Sequence, residues 1–296
     1  MATDIGGSIR FPAYANGVYG FKPSSGRVPY YNIKGYWPPG EEYNGVLCVA
    51  GPIAVSMRDC ELIIKAIAET EPWKYDPTCI YSPWPKQKTL AADDKRPLSI
   101  GVVRGPTAEP ITSILAEACK KITDAGHELV EMEIINGPEM LDLTTKIFQV
   151  DGGKFLVDLC STTNEPLTKT VIDNGLYPCE PADLSQFFAY SHRRIELQKA
   201  WAEYWEQSAG TTASGKPVDI LLMPISPFVP RVREFLSSPF INVWNLLDYP
   251  ALTFTADKIN LSKHKVEIPP PSNIGETNSE QYCKYDSSSN KKEISH

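Results

Sequence analysis

Gly6-Gly7-Ser8 places a hydroxyl beside two residues that carry no side chain. Glycine lets backbone N–H groups approach a ligand closely, and successive N–H groups aimed at one point form a cradle for an anion. In acyl transfer that anion is the oxygen of a tetrahedral intermediate, and one such donor contributes about 2.7–4 kcal/mol to the transition state. Ser8 is therefore the candidate nucleophile, with the N–H groups of Ile5, Gly6, Gly7 and Ser8 as candidate oxyanion donors. A Gly-Gly-Ser tripeptide is also an ordinary turn, so the spacing alone leaves both readings open. Asp4 and Arg10 flank the tripeptide. An ion pair between them would fix the loop; substrate orientation is the other use of two such charges.

Other catalytic patterns find little support. The four histidines (127, 192, 264 and 296) lie in separate places, and no G-x-S-x-G elbow occurs to seat a Ser-His-Asp triad. Seven cysteines at 48, 60, 79, 119, 160, 179 and 283 contain no C-x-x-C pair, so zinc and thioredoxin-type sites are not expected. No metal and no cofactor is implied. The odd count fits reduced, mostly buried thiols in an intracellular, cytoplasmic protein. The net charge is -7 over 296 residues, without the basic stripe that a phosphate backbone attracts. Nucleic acid is therefore not an expected partner. No apolar stretch reaches the roughly 18–20 residues of a membrane span, and no secretory leader is visible.

The elements that would position Ser8 follow from periodicity. Residues 1–53 are rich in glycine, proline and tyrosine and read as turns around short extended pieces. Ser56 caps a helix whose Asp59 sits three residues on, a structural use of Ser56, Arg58 and Asp59 that requires no chemistry. Leu62, Ile63, Ile64, Ala66 and Ile67 give that helix a wide apolar face ending before Pro72. Residues 71–97 form a long surface connection. Leu98–Val103 is a strand, Ile111–Asp124 a helix with Gly126 suited to its left-handed end, and Val130, Met132 and Ile134 alternate as a strand. Strand, helix and strand at this spacing make a right-handed βαβ unit with parallel strands. Helical blocks near 139–160 and 182–207 follow, then a strand at Asp219–Met223 stopped by Pro224. Trp201, Tyr204 and Trp205 have helical spacing and read as core. Tyr30, Tyr31, Tyr36 and Trp37 either line an acyl pocket, which such residues suit, or pack.

The longer string TDIGGSIRFPAYANGVYGFKPSSGRVP, followed by GPIAVSMRD, closely resembles the amidase signature family of serine hydrolases. VDILLMPISP and WNLLDYPALTF resemble later segments of its fungal acetamidase branch, so the likeness runs from residue 2 to about residue 255. The resemblance implies an α/β fold, a twisted mixed sheet with helices on both faces. It implies hydrolysis of linear carboxylic amides through an acyl-enzyme, with Ser8 at the nucleophile position. It also places Trp244 and Pro250 in a segment near the substrate. Family members use a Ser–cis-Ser–Lys triad. The bridging serine and the lysine precede the nucleophile segment, and this chain begins at Met1, so neither is expected in it. Lys22, the nearest lysine, stands in FKPS, where the family's matching residue looks structural. A late GLQLVG-like strand is not found either.

The expectation is thus a partial amidase domain over 1–255, incomplete at both ends, with a polar, mobile tail over 256–296. A chain without the proton relay is expected to be inactive, since general-base help typically contributes 10²–10⁴-fold in rate. Two other functions stay open beside a small-molecule amide hydrolase. One is a non-catalytic remnant that binds an acyl ligand or a partner. The other is a subunit resembling those of amidotransferases.

Overall fold

A computed structural model of the chain describes residues 1–31, 33, 45–85, 96–105, 107–168, 171–172, 178–227 and 238–259. Two units are present. Described residues within Met1–Thr89, Ile135–Ala202 and Phe235–Phe254 form the first, and those within Leu90–Ile134, Glu203–Glu234 and Thr255–His296 form the second. Strand pairing is mixed, as expected of this α/β chain, and is spread over three sheets among the described residues.

In the first unit β1 (Ala2–Asp4) pairs antiparallel with β3 (Val49–Gly51), setting Asp4 opposite Val49. β2 (Tyr19–Lys22) is flanked antiparallel by β4 (Ile53–Ala54) and β8 (Ala251–Thr253). Between β1 and β2 lies a helix, α1 (Arg10–Asn16), where the sequence reads as turns. The glycine and proline content masks it, yet Pro12 sits in its first turn, where no intrahelical N–H partner is needed. Val28, Tyr30, Ala50 and Ile64 form one buried cluster of this unit.

Ser56 starts α2 (Met57–Glu69) as expected, its hydroxyl accepting from the Asp59 N–H at 3.2 Å and donating to the Asp59 carboxylate at 2.7 Å. The apolar face is narrower than the sequence suggests: Cys60, Ile64 and Ala68 are buried whereas Leu62 is exposed. The connection that follows is not wholly superficial. Asp76 is buried and accepts from the N–H groups of Tyr30 and Tyr31 at 3.0 and 3.1 Å.

The block expected over 139–160 divides into α4 (Gly137–Phe148) and α5 (Lys154–Ser161). Asp151 explains the break, because its carboxylate accepts from Gly153 N and Phe155 N, each at 2.8 Å, and so satisfies open donors at the new helix start. α6 (Leu184–Gln207) is the long helix expected near 182–207. α7 (Pro239–Leu246) has no counterpart in the sequence reading. It is buried all round, so it carries no amphipathic period to detect. Ser238 caps it, accepting from Phe240 N at 3.2 Å.

The second unit holds the βαβ motif. β5 (Ser99–Val103), α3 (Glu109–Asp124) and β6 (Glu128–Met132) follow in order, with β5 parallel to β6 and to β7 (Ile220–Leu222). Val102, Leu115 and Cys119 are buried together, with Leu129 and Leu222 against them. Arg96 grips Asp219 at 3.0 and 2.5 Å, and the same carboxylate accepts from Ser99 N at 2.9 Å. These bonds tie the start of β5 to the entry of β7.

Some packing expectations are corrected. Trp201 is fully buried, but Tyr204 and Trp205 are only half-buried, and the Tyr204 hydroxyl accepts from Glu133 N at 3.0 Å. Two of the six described cysteines, Cys60 and Cys119, are buried, so the thiols are not mostly buried; all six are free. Cys283, His264, His296, Tyr36, Trp37 and the tail from residue 260 lie outside the described residues.

Candidate active site

The Ser8 loop is built from a buried carboxylate outward. Asp4 ends β1 with no exposure to solvent. One carboxylate oxygen, Oδ1, accepts from Gly7 N at 2.7 Å, Asn245 Nδ2 at 2.9 Å and Arg10 Nη2 at 3.1 Å. The other, Oδ2, accepts from Arg10 Nε at 3.0 Å and Ile9 N at 3.2 Å. Burial alone would raise this carboxyl. The Arg10 charge, with hydrogen bonds from Arg10, Asn245 and Gly7, instead holds it below its ordinary value. Asp4 is therefore an anion, and its five donors fix both sides of the loop.

Arg10, 2% exposed, opens α1 and reaches further. Its Nη1 donates to the Ile241 carbonyl at 2.7 Å and its Nη2 to Asn245 Oδ1 at 2.5 Å. α7 thus holds the loop from the far end of the chain. Asn242 completes the grip, its Nδ2 donating to the Gly6 carbonyl at 3.3 Å while its Oδ1 accepts from Ser238 N at 3.0 Å. α7 is held in turn at its C-terminal end, where Arg194 Nε donates to the Leu246 carbonyl at 2.7 Å. A cation is favourable at that end because the last carbonyls carry partial negative charge.

Sequence reasoning missed Asn242 and Asn245. Their signal was two amides three residues apart in the otherwise apolar stretch PFINVWNL, a spacing that puts both on one helix face. A buried amide requires partners, and here those partners are 236 and 241 residues away in sequence. Trp244 is core: it is buried edge-on against Trp201 at 5.3 Å, and its Nε1 donates to the Phe240 carbonyl at 3.0 Å. Pro250 is exposed just before β8. Tyr30 is buried and Tyr31 exposed.

Ser8 itself is exposed, at the apex of this fixed loop. Gly7 has φ +117, a conformation that suits glycine. A Cβ there would lie 2.3 Å from Ile241 Cδ1. The loop carbonyls are held: Gly6 O by Asn242, and Gly7 O by Phe11 N at 2.8 Å. In a trans peptide the C=O and N–H point opposite ways, so the Ser8 N–H is turned away from the α1 donor that holds Gly7 O. The N–H groups of Gly6 and Ser8 have no hydrogen-bond partner among the described residues, while the Gly7 N–H is held by Asp4. The arrangement can present an exposed hydroxyl beside backbone N–H groups that have no partner among the described residues.

The sequence profile of the amidase family matches residues 1–269. The chain belongs to the amidase family. Among the relatives of this amidase-family chain, Amidase 2 of Gibberella moniliformis is 31% identical over 261 residues, covering 86% of this chain and 46% of the relative. The acetamidase of Aspergillus oryzae is 29% identical over 262 residues, covering 85% and 47%. Among solved structures, a fatty acid amide hydrolase superposes with a TM-score of 0.75 at 28% identity, covering 86% of this chain and 43% of that one. A bacterial aryl acylamidase of the amidase signature family shares the fold, with a TM-score of 0.61 at 17% identity, and the chain covers 55% of it. The chain spans about half the length of the curated relatives it matches. No described helix is long and apolar enough to cross a membrane.

Proposed function

We propose that the chain carries the nucleophile and oxyanion cradle of a serine amidase acting on linear carboxylic amides. The observation that carries this reading is an exposed Ser8 hydroxyl on a loop pinned by a buried ion pair and two buried asparagines. Backbone N–H groups without a partner among the described residues stand beside it. Ser8 Oγ adds to the amide carbonyl carbon, and the C=O electron pair moves to oxygen. The N–H groups of Ile5, Gly6 and Ser8 stabilise that oxyanion; the Gly7 N–H, expected among them, is already donated to the Asp4 carboxylate. Collapse of the intermediate breaks the C–N bond, the leaving amine takes the serine proton, and water then cleaves the acyl ester. The relatives named acetamidase favour small aliphatic amides as the substrate class.

The proton relay is the part the described residues do not supply. Among them no basic side chain is hydrogen-bonded to the Ser8 hydroxyl, and the Lys22 ammonium donates to the Pro23 carbonyl at 2.9 Å. Amide turnover by this chain is therefore proposed to run about 10²–10⁴-fold below that of a site with its base in place. The cradle alone retains slow acylation, as cradle and binding do when a triad member is missing.

A fluorophosphonate probe tests this. Intact mass should show one adduct mapping to the Ser8 peptide, absent in Ser8→Ala, while ammonia release from acetamide stays near background. No Ser8-dependent adduct in a folded sample would favour the second reading, a non-catalytic acyl-binding or partner-binding protein, with which the lack of a base contact to Ser8 among the described residues is consistent. Acetamide turnover at an ordinary enzymatic rate would refute the proposed lack of a relay.

A further inference from the structure

The chain leaves α7 through a left-handed turn, and the residue that makes the turn is an aspartate. Leu247 caps the helix and Asp248 follows with φ +60. The Asp248 N–H donates to the Asn245 carbonyl at 3.2 Å, and the next N–H, of Tyr249, donates to the Trp244 carbonyl at 3.1 Å. The Tyr249 ring meets the Trp244 ring edge-on, with centroids 6.2 Å apart. Two such reverse bonds with an apolar contact beside them form a common helix ending, whose left-handed residue is usually glycine. A Cβ makes that conformation costly, so glycine would make the same ending with less strain. The carboxylate of Asp248 is not needed for the turn.

It holds the loop after β2 instead. Asp248 Oδ1 accepts from Ser25 N at 2.9 Å, and its Oδ2 accepts from the Ser25 hydroxyl. Its main-chain carbonyl accepts from the Ser24 hydroxyl at 3.0 Å. The two serines lie 224 and 223 residues away in sequence. The Leu246 and Leu247 carbonyls accept from Arg194 Nε at 2.7 Å and Gln198 Nε2 at 3.4 Å. Asp248 is one hydrogen bond from the support of the Ser8 loop. Asn245, whose carbonyl accepts from Asp248 N, donates through Nδ2 to Asp4 Oδ1 at 2.9 Å and accepts from Arg10 Nη2 at 2.5 Å. Asp4 Oδ1 in turn accepts from Gly7 N at 2.7 Å. We propose that Asp248 is a positioning residue for the Ser8 loop: latched to Ser25, it fixes the last turn of α7 and so the direction of the Asn245 amide against Asp4 and Arg10. The inference rests on the reading of Ser8 as nucleophile.

Three substitutions separate the latch from the turn. Asp248→Gly keeps the left-handed turn and relaxes it, but removes both carboxylate bonds. Ser25→Ala leaves Asp248 in place and removes one of those bonds, the hydroxyl's. Asp248→Asn tolerates the left-handed conformation and keeps an acceptor for Ser25 N. A residue that only ended the helix would be replaced by glycine without loss.

The test uses the full chain, well below the melting temperature of every variant, with two readouts. One is the rate of Ser8 labelling by the fluorophosphonate probe. The other is amide hydrogen exchange at Gly7, which follows the loop without using the nucleophile, against exchange at Ile64 inside α2, which follows general opening. Asp248→Gly should label about tenfold more slowly than the wild type, less than a 1 Å displacement can cost. Its Gly7 exchange should be faster and its Ile64 exchange unchanged. Ser25→Ala should move both readouts the same way by a smaller factor. The double variant should be no slower than Asp248→Gly alone, because both residues act through one contact. Asp248→Asn should recover part of the rate. Wild-type labelling or wild-type Gly7 exchange in Asp248→Gly would overturn the role. Exchange that quickens at Gly7 and Ile64 alike, or effects that multiply in the double variant, would overturn it as well. Absence of Ser8-dependent labelling in the wild type removes the nucleophile reading by itself, and Gly7 exchange then decides whether Asp248 positions the loop. If Asp248→Gly does not fold, Ser25→Ala decides by the same readouts, and unchanged values there overturn the proposal.

Discussion

Replacing Asp4 by alanine should destabilise the chain by about 3–5 kcal/mol, because removing one member of a buried ion pair leaves the other charge uncompensated. Arg10 would keep its Ile241 and Asn245 acceptors but lose both contacts to the carboxylate. Gly7 N, Ile9 N and Asn245 Nδ2 would lose an acceptor at the same time. Urea denaturation of Asp4→Ala beside the wild type measures the loss. The double variant Asp4→Ala with Arg10→Met should be less destabilised than the two single losses summed, since contacting residues couple by about 0.5–3 kcal/mol. Additive losses would mean that the pair does not hold the loop.

Acid should mimic the same change. The folded-state pKa of Asp4 is depressed below the ordinary 3.8. Its contribution is therefore fully present above that value and is lost as pH falls through the lower folded-state pKa. The wild type should lose stability on that limb, and Asp4→Ala should lack this component. A parallel acid limb in both proteins would contradict the assignment.

Gly7→Ala should abolish most Ser8 reactivity. The backbone at φ +117 is strained for any residue with a Cβ, and that Cβ would meet Ile241 at 2.3 Å from Cδ1 and 2.7 Å from Cγ1. Backbone strain of this kind costs about 1–3 kcal/mol, and a displacement near 1 Å at a reacting group can reduce rate by about 10²-fold. Labelling by the probe should fall by that order while the far-UV spectrum of the folded protein is retained. Adding Ile241→Ala removes the clash but not the φ strain, so it should restore part of the rate. Full recovery would show that the backbone conformation of Gly7 is not needed.

Much of the frame was readable because it is local. The βαβ unit appeared where alternation in Val130 and Met132 and helical spacing from Ile111 to Ile122 placed it, with parallel strands. The Ser56 cap was readable from two residues three apart. Where local chemistry was ambiguous the reading failed. α1 is hidden by the glycines and proline around it, and α5 separates from α4 through a single aspartate at 151. α7 is buried on every side and eight residues long, so no exposed polar face marks it.

The site divides along the same line. Asp4, Gly6, Gly7, Ser8 and Arg10 lie within seven residues, and their juxtaposition needs no tertiary information. Asn242, Asn245 and the Ile241 carbonyl reach them from more than 230 residues away. Only the fold discloses that the loop is clamped from that distance. Lys22 was visible as a lysine; its burial was not.

A crystal structure of the chain after reaction with the fluorophosphonate probe tests the central claim most directly. The account predicts a phosphonyl group on Ser8 Oγ, its oxygen within about 2.7–3.1 Å of the Gly6 or Ser8 N–H, over an undisturbed Asp4–Arg10 pair. A phosphonyl oxygen turned to solvent, or an adduct on a different residue, would contradict it.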